Sequence, residues 1–350
     1  MRRRRFLALA GAGAAGAGGA GSLAGCLGLF ETRSFSAPPV VEDRPDAVYY
    51  PTHVEQMATS GIRTENGYAC ALTYTYPHRF WLVSGTHRNR VKIEPDDAMH
   101  VMPVVWHAET GQVLPDVSPH LGVSRDGESV RSVSPWPMLS QPMGFHFGDN
   151  VRLPGDGTYD VSVHVGAPSG RRIGALADAP GDVTFEFTLD YSRSKLESIP
   201  WRNLPDEAGS RGAVPHAEMP KLPPSTVPEP TALPGRVLGS GTSGDAEFVV
   251  SVLEDATRFG GAESDSYLVV SPRSPYDRYL LPMMTLSASV RGSTRDLTAT
   301  LAPDVGFHYG AALDGPPSEV TVHVDTPPQF ARHEGYETAF VQMPDVTVST

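Results

Sequence analysis

Residues 159–165, Tyr159-Asp-Val-Ser-Val-His-Val165, carry the pattern that decides the fold, because apolar and polar side chains alternate from one residue to the next. Successive side chains of a β-strand point to opposite faces of its sheet. The apolar residues of this stretch therefore share one face and are predicted to enter a core. The polar residues between them, with His164 last, point to the other face. The stretch predicts a strand that is buried on one side only.

Similar short runs, rich in Val, Tyr, Phe and Thr, recur in both halves of the chain between Gly, Pro or Asp residues. The chain has 35 Gly and 33 Pro, a density that opposes long helices. The predicted fold class is all-β, with two tandem immunoglobulin-like β-sandwich domains joined by a Pro-rich linker. The other predicted strands are Ala69–Tyr76, Phe80–Ser84, His100–His107, Val183–Leu189, Glu247–Leu253, Tyr267–Ser271, Arg295–Leu301, Glu319–Val324 and Thr338–Val348.

The first 25 residues have the features of an export signal followed by a lipid-attachment site. Four Arg at positions 2–5 precede a weakly apolar stretch, and Leu23-Ala-Gly-Cys26 places small residues before the cysteine. The Arg pair before Phe6-Leu7 resembles a twin-arginine signal. The alternative is an uncleaved transmembrane anchor, although the Gly content makes a poor membrane helix. We predict a lipid on Cys26 and localisation at the outer face of the cytoplasmic membrane.

The two halves of the chain repeat each other. Met143-Gly-Phe-His-Phe-Gly148 matches Val305-Gly-Phe-His-Tyr-Gly310, and the strand at 159–165 matches Ser318-Glu-Val-Thr-Val-His-Val324. Such repetition is typical of a duplicated domain. The predicted division is a signal peptide at 1–25, a tether at 26–45, a β-sandwich at 46–200, a Pro-rich linker at 201–243 and a second, degenerate β-sandwich at 244–350.

The charge balance excludes nucleic acid as a partner. Asp and Glu total 40 against 28 Lys and Arg, which gives a formal net charge of -12. Nothing in the sequence forms the basic footprint that a phosphate backbone requires. An acidic chain with Arg in place of Lys is also typical of a halophile, although a high-GC genome would favour Arg as well.

Histidine and methionine supply the candidate metal ligands. His146 and His308 occupy the same place in the two repeated segments, and recurrence there has two explanations: a His that donates to a loop carbonyl in both domains, or a metal ligand. His100 lies in a predicted strand, and Met138 lies shortly before His146. Imidazoles combined with a thioether suit copper, especially Cu(I), whereas neutral imidazole also accepts Fe, Ni or Zn.

At these residues the sequence resembles the periplasmic ferrous-iron transport accessory proteins, dimeric immunoglobulin-like sandwiches that bind copper and iron beside a bacterial iron permease. Their motifs have the form D-I-H-L-E-A-D-I-H-A, M-P-M-V-A-S-D-G-P-H-Y-G-A-N and G-x-G-x-Y-x-[VL]-[ST]-[FY]-H-I. The counterparts here are residues 98–108, 136–150 and 155–165, within a resemblance that covers about residues 60–170. Met102 stands where the family has an acidic residue two positions after its first His.

The resemblance implies a four-ligand metal site. It implies copper as the cofactor, with iron as a second candidate, and it implies a metal ion and an iron permease as partners. The N-terminal lipid-attachment pattern adds the membrane as a third partner, through the lipid anchor. The implied ligands are His100, Met138, His146 and His164. In the second half His308 and His323 remain, whereas the places of His100 and Met138 are assigned by spacing to Tyr279 and Thr300.

The sequence leaves three classes of function open. The first is a metal-binding accessory protein that assists iron uptake by a membrane permease. The second is a structural or adhesive cell-surface lipoprotein with incidental histidines. The third is an enzyme such as a copper oxidase or a hydrolase, but the sequence contains neither G-x-S-x-G nor H-E-x-x-H. We therefore predict a metal-binding protein that is not an enzyme.

The N-terminal pattern makes a prediction about processing. Because small residues precede Cys26 and a positive segment and an apolar stretch stand before them, we expect cleavage after Gly25 and a lipid on Cys26. Mass spectrometry of the membrane fraction should find a mature chain that begins at the lipid-modified Cys26. Recovery of a chain that begins at Met1 would contradict it.

Overall fold

The computed structural model describes residues 37–178 and 181–350. The regular structure of these residues is almost entirely β, which confirms the predicted all-β class. The predicted signal peptide and Cys26 lie outside the described residues. Within the described ranges, no helix combines the length and the apolar character needed to cross a membrane.

The elements follow the chain in one series of strands with a few short helical turns. The helix α1 spans Arg193–Glu197, and 3-10 turns lie at Gly174–Leu176, Pro230–Ala232 and Thr257–Phe259. The strands of the first half are β1 His53–Glu55, β2 Ala58–Glu65, β3 Tyr68–Thr75, β4 Phe80–Ser84, β5 His87–Val91, β6 Met99–His107, β7 Pro119–Arg125, β8 Glu128–Val133, β9 Trp136–Ser140, β10 Gly144–Val151, β11 Gly157–Val165, β12 Arg171–Arg172, β13 Val183–Tyr191 and β14 Trp201–Asn203. Those of the second half are β15 Arg236–Ser243, β16 Ala246–Leu253, β17 Ser266–Arg273, β18 Thr285–Val290, β19 Ser293–Ala302, β20 Gly306–Leu313, β21 Glu319–Thr326, β22 Ala331–His333 and β23 Val346–Ser349.

Two sheets enclose the core of the first half. The larger has the order β2-β3-β6-β10-β9-β22-β4-β5, and the smaller has the order β13-β11-β7-β8. The strand β13 alternates buried and exposed residues along its whole length, as expected of a strand covered on one face. In contrast, all of β6 is buried, because it lies inside the larger sheet with both faces covered. The strand β11 shows the predicted alternation and leaves His164 exposed.

The second half repeats this topology. Its strands follow the order β15-β16-β17-β20-β19-β18-β21-β23. The strand β19 serves both layers, because residues 293–297 pair with β18 and residues 298–302 pair with β20. The series β2-β3-β6-β10-β9 of the first half therefore corresponds to β15-β16-β17-β20-β19 of the second. The two repeated Gly-Phe-His segments begin the equivalent strands β10 and β20.

Tight turns with left-handed backbone set the register of several hairpins. Asn66 and Gly67 join β2 to β3 with φ of 48° and 79°. Two successive residues at positive φ define a type I′ turn, whose twist matches that of the paired strands. Asp126-Gly127 joins β7 to β8 in the same way, and Arg291-Gly292 joins their counterparts β18 and β19.

The segment 201–243, predicted as a linker, is built into the fold. The strand β14 at its start pairs with β1, and β15 at its end pairs with β16. Between them Val214, Ser225 and Val227 are buried. The Ser225 hydroxyl accepts a hydrogen bond of 2.6 Å from the backbone N–H of Phe145 in the first half. Pro-rich composition does not distinguish a free tether from an extended segment that packs against folded strands.

The C-terminal segment departs most from the sequence prediction. A strand was expected over Thr338–Val348, but the strand there is β23, which begins at Val346. Upstream, β22 enters the larger sheet of the first half, parallel to β9 and antiparallel to β4. The loop around it is organised by the buried Arg332, whose guanidinium donates to the carbonyls of Pro328 at 2.9 Å and Phe340 at 3.2 Å.

Packing beside β22, where the C-terminal segment joins the sheet of the first half, predicts a large loss of stability when Phe330 is truncated. Phe330 is fully buried, and its ring centroid lies 6.3 Å from that of Phe145 in β10. Phe330→Ala should lower the free energy of unfolding by about 3–5 kcal/mol, because it leaves a cavity between the two halves. Chemical denaturation measures the change. Tyr276→Ala, at a side chain that is 52% exposed, is the control and should change it by no more than about 0.5 kcal/mol.

Candidate metal centre

Four donor side chains meet inside the larger sheet of the first half. His100 lies on β6, Met138 on β9, His146 on β10 and His333 on β22. Strand register brings the first three together. Met138 is directly opposite His146, and His100 is opposite Asn150, which lies four residues beyond His146 and so on the same face of β10. The strand β22 brings His333 from the second half.

The donor atoms are close enough to share one ion. One ring nitrogen from each of His100, His146 and His333 lies within 4.8 Å of the others. The Met138 Sδ atom lies 3.0 Å from His333 Nε2. Three of the four residues have no exposed surface, and His333 is 9% exposed. The structure thus joins three of the predicted ligands, His100, Met138 and His146, with one that the sequence did not reveal.

Hydrogen bonds on the outer side of two rings fix which nitrogen faces the centre. His100 Nδ1 donates to the Asn150 side-chain oxygen at 2.8 Å. The Asn150 amide cannot rotate freely, because it also accepts from the backbone N–H of His78 and donates to its carbonyl. His146 Nδ1 donates to the carbonyl of Gly144 at 3.0 Å. Since carbonyl oxygens only accept, both protons sit on Nδ1, and each Nε2 presents a lone pair to the centre.

These two Nε2 atoms are buried and have no hydrogen-bond partner in the described residues. Burial lowers the pKa of His100 to about 3 and that of His146 to about 4. Burial, together with the neighbouring imidazoles, also holds the pKa of His333 well below its usual range. All three rings are therefore neutral at pH 7, which is the form that binds a metal. A buried lone pair without a partner is costly, and one metal ion would be a partner for the Nε2 lone pairs of both His100 and His146.

Gly148 leaves the space that an ion would need. It lies on β10 between His146 and Asn150. A Cβ atom at this position would lie 2.7 Å from His100 Nε2 and 2.8 Å from Met138 Sδ. The donor atoms therefore converge on the bare backbone of residue 148. The residues present fit a transition-metal ion with nitrogen and sulfur ligands.

His164, the fourth predicted ligand, is not part of this cluster. It lies on β11 in the smaller sheet, where its side chain is exposed. Its Nδ1 is 3.2 Å from the Thr184 hydroxyl on β13, and its cross-strand neighbour is His120. The strand alternation predicted this exposure correctly, and the family resemblance placed His164 in the site. The physical reason for the correction is that β11 belongs to the opposite layer of the sandwich.

The equivalent position in the second half is filled by a tyrosine. Thr300 is opposite His308, as Met138 is opposite His146, and this matches the assignment made from spacing. The counterpart of His100 is Tyr267, since Tyr267 is opposite Ala312 as His100 is opposite Asn150. The Tyr267 hydroxyl lies 3.3 Å from His308 Nε2 and occupies the place of an ion.

Tyr279, which spacing had assigned to the place of His100, lies elsewhere. It contacts the first half, where its hydroxyl donates to the carbonyl of Gln141 at 2.8 Å. The count along the chain failed because it started from Pro282, which lies after the end of β17 at Arg273 and is not the counterpart of Pro103 within β6. His308 otherwise copies His146, with its Nδ1 3.0 Å from the carbonyl of Gly306. Of the two explanations for the repeated His, a ring that donates to a loop carbonyl therefore accounts for His308 in the second half.

Two histidines near the centre had no sequence signal. His333 lies 187 residues after His146 and outside every repeated segment. His78 precedes β4, and its ring centroid lies 4.7 Å from that of His100 and 4.9 Å from that of His333. The pairing of β22 with β4 and β9 places His333 beside the other rings, and backbone hydrogen bonds to the Asn150 side chain place His78 beside His100.

A buried set of three imidazoles and one thioether in a duplicated β-sandwich is the arrangement expected of a transition-metal-binding protein. Residues 86–192 match the family model described as Fe2+ transport protein. This match confirms the resemblance drawn from the motifs. Residues 231–349 match a domain of unknown function. No curated protein matches the chain.

Several solved structures are similar to part of the chain. A copper-bound variant of FetP from uropathogenic Escherichia coli strain F11 is 18% identical, with 39% of this chain and 97% of that chain covered and a TM-score of 0.30. FetP as isolated is 20% identical, with 38% and 96% covered and a TM-score of 0.29. The copper-reconstituted P19 protein from Campylobacter jejuni is 13% identical, with 39% and 96% covered and a TM-score of 0.31.

The glycine at the centre provides a direct test of the site. Gly148→Ala should lower metal affinity by at least about tenfold, because the new methyl group displaces the ring of His100 and the thioether of Met138. The backbone should tolerate alanine, since Gly148 is not among the residues at positive φ. Metal competition titration measures the affinity. Gly166→Ala, where a Cβ meets nothing within 4 Å, is the matched control and should bind as the wild type does.

Proposed function

We propose that this chain is an exported, lipid-anchored protein that binds copper or iron and assists iron uptake by a membrane permease. Its proposed ligands are His100, Met138, His146 and His333. The observation that carries the proposal is the convergence of neutral, buried imidazoles and a thioether, with two Nε2 lone pairs that have no other partner.

The donor set favours copper at this centre. Thioether and neutral imidazole are soft or borderline ligands and suit Cu(I) in particular. None of the four carries a charge, so an ion of low charge is the least costly to hold in an enclosed site. The buried Met102 stands where the related family has an acidic residue, so the strand β6 offers no carboxylate beside His100.

The proposed role in iron uptake rests on the first half and on the N-terminus. The family model that matches residues 86–192 is described by Fe2+ transport. A lipid on Cys26 would hold the protein at the membrane surface. That anchor would keep the bound metal near a permease in the same membrane.

The enclosed centre favours a role in binding and transferring a metal ion over a role in catalysis. A catalytic metal site keeps a coordination position open to its substrate. Here three of the four donor residues have no exposed surface. A metal held in this way is protected from solution and is released when the donors around it move apart.

Metal analysis of purified mature protein tests the proposal. We expect about one copper or iron per chain, and His333→Ala should reduce copper affinity at least about tenfold, because it removes the ligand supplied by the second half. His164→Ala is the matched control, since it removes an exposed imidazole from the other sheet. Absence of bound metal after reconstitution would favour a structural surface protein. A loss of affinity in His164→Ala alone would contradict the ligand assignment.

A further inference from the structure

A cavity of about 70 Å³ lies beside the metal centre. Of the four centre ligands, His333 alone lines it. A space of this size has room for an ion with a few water molecules. Its lining also includes two carboxylates, two further imidazoles and three thioethers, which belong to Glu55, Glu334, His53, His78, Met57, Met102 and Met143.

Glu55 is a buried carboxylate surrounded by imidazoles. It is 7% exposed, and its Oε1 atom lies 3.0 Å from His53 Nε2 and 3.5 Å from His78 Nδ1. Its Oε2 atom accepts a hydrogen bond of 3.0 Å from the Thr75 hydroxyl. Burial raises the pKa of Glu55, so its charged form is under-compensated and a cation beside it would be stabilising.

The second acid of the cavity is already paired. The Glu334 carboxylate accepts a hydrogen bond of 3.0 Å from Arg79 Nε and another of 2.9 Å from the backbone N–H of Thr52. These contacts hold the residue next to His333 in place. Glu55 is therefore the carboxylate of the lining that is paired with imidazoles and not with a guanidinium.

His78 connects this cavity to the centre. One side of its ring faces Glu55 through Nδ1. The ring also makes edge contacts with the rings of His100 and His333. Donor atoms thus continue without a break from Glu55, through His78, to two ligands of the buried centre.

We propose that Glu55, with His53 and His78, forms an outer binding position for a divalent cation, which the cation occupies before it moves to the buried centre. The inference rests on the proposed function, because it describes how that centre is loaded. Ligand atoms at right angles on an ion with bonds of about 2.0–2.2 Å lie roughly 3 Å apart. His53 Nε2 and His78 Nδ1 lie 3.0 Å and 3.5 Å from Glu55 Oε1, which is already close to that separation.

The outer position has a different chemistry from the centre. A carboxylate with imidazoles accepts harder divalent ions, Fe2+ among them, whereas the nitrogen and thioether set of the centre prefers copper. The Glu55 carboxylate provides an oxygen ligand for the hydrated cation, which can exchange its waters for imidazoles one at a time. Met102 on β6 lines the same cavity but supplies no carboxylate. The carboxylate of the outer position is that of Glu55 on β1.

Loading kinetics test this assignment. The apo protein is mixed with Cu2+ in a stopped-flow instrument, and uptake is followed by the charge-transfer absorption of the imidazole and thioether ligands. Glu55→Gln should slow uptake at least about tenfold, because it removes the carboxylate ligand that binds the incoming cation first. At equilibrium the same variant should still hold one copper per chain with the affinity of the wild type.

The controls separate this inference from the proposed function. Glu263→Gln makes the same charge change at an exposed site and should load at the wild-type rate. If Glu55→Gln does not fold, His53→Asn removes one outer imidazole and should also slow uptake. An unchanged rate in both outer variants overturns the inference, and so does a loss of equilibrium copper in a folded Glu55→Gln protein. A wild-type protein that takes up no copper would instead overturn the proposed function.

Discussion

The three-residue strand β22 occupies the gap between β9 and β4, and the architecture of the site depends on that pairing. Without it the larger sheet of the first half would be interrupted, with two open edges. Contacts on either side reinforce the crossing. Arg332 ties the following loop together, Glu334 binds Arg79 and the backbone of Thr52, and Glu337 accepts from the Tyr49 hydroxyl. The halves cannot separate without opening a sheet.

The same crossing determines the chemistry of the centre. His100, Met138 and His146 belong to neighbouring strands of one sandwich, and His333 is delivered by the other. Hydrogen bonds to Asn150 and to the Gly144 carbonyl fix two tautomers, so the free lone pairs point inward before any metal arrives. Preorganisation of this kind reduces the cost of ordering ligands when an ion binds. Gly148 keeps the space between them open.

Duplication has produced two copies of one arrangement with different outcomes. Both copies have a strand that begins Gly-Phe-His, with a His whose Nδ1 is held by a carbonyl. In the second copy the Tyr267 hydroxyl contacts His308, and a Cβ at Gly310 would lie 2.3 Å from that hydroxyl. The second half thus retains the imidazole but fills the space beside it, and it supplies His333 to the donor cluster of the first half from a segment beyond its own sheets.

Local pattern determined much of the fold and part of the site. Alternation along a strand depends only on neighbouring residues, so the sequence alone predicted Phe80–Ser84 with its observed bounds and the exposure of His164 on β11. Motifs that span a few residues located His100, Met138 and His146. Tertiary structure decided the rest. The pairing of β22 joins segments nearly 200 residues apart in the chain, and it depends on the strand edges that β9 and β4 present to each other in the folded protein. No local pattern records that choice, so His333 and the cavity beside it could be identified only from the folded chain.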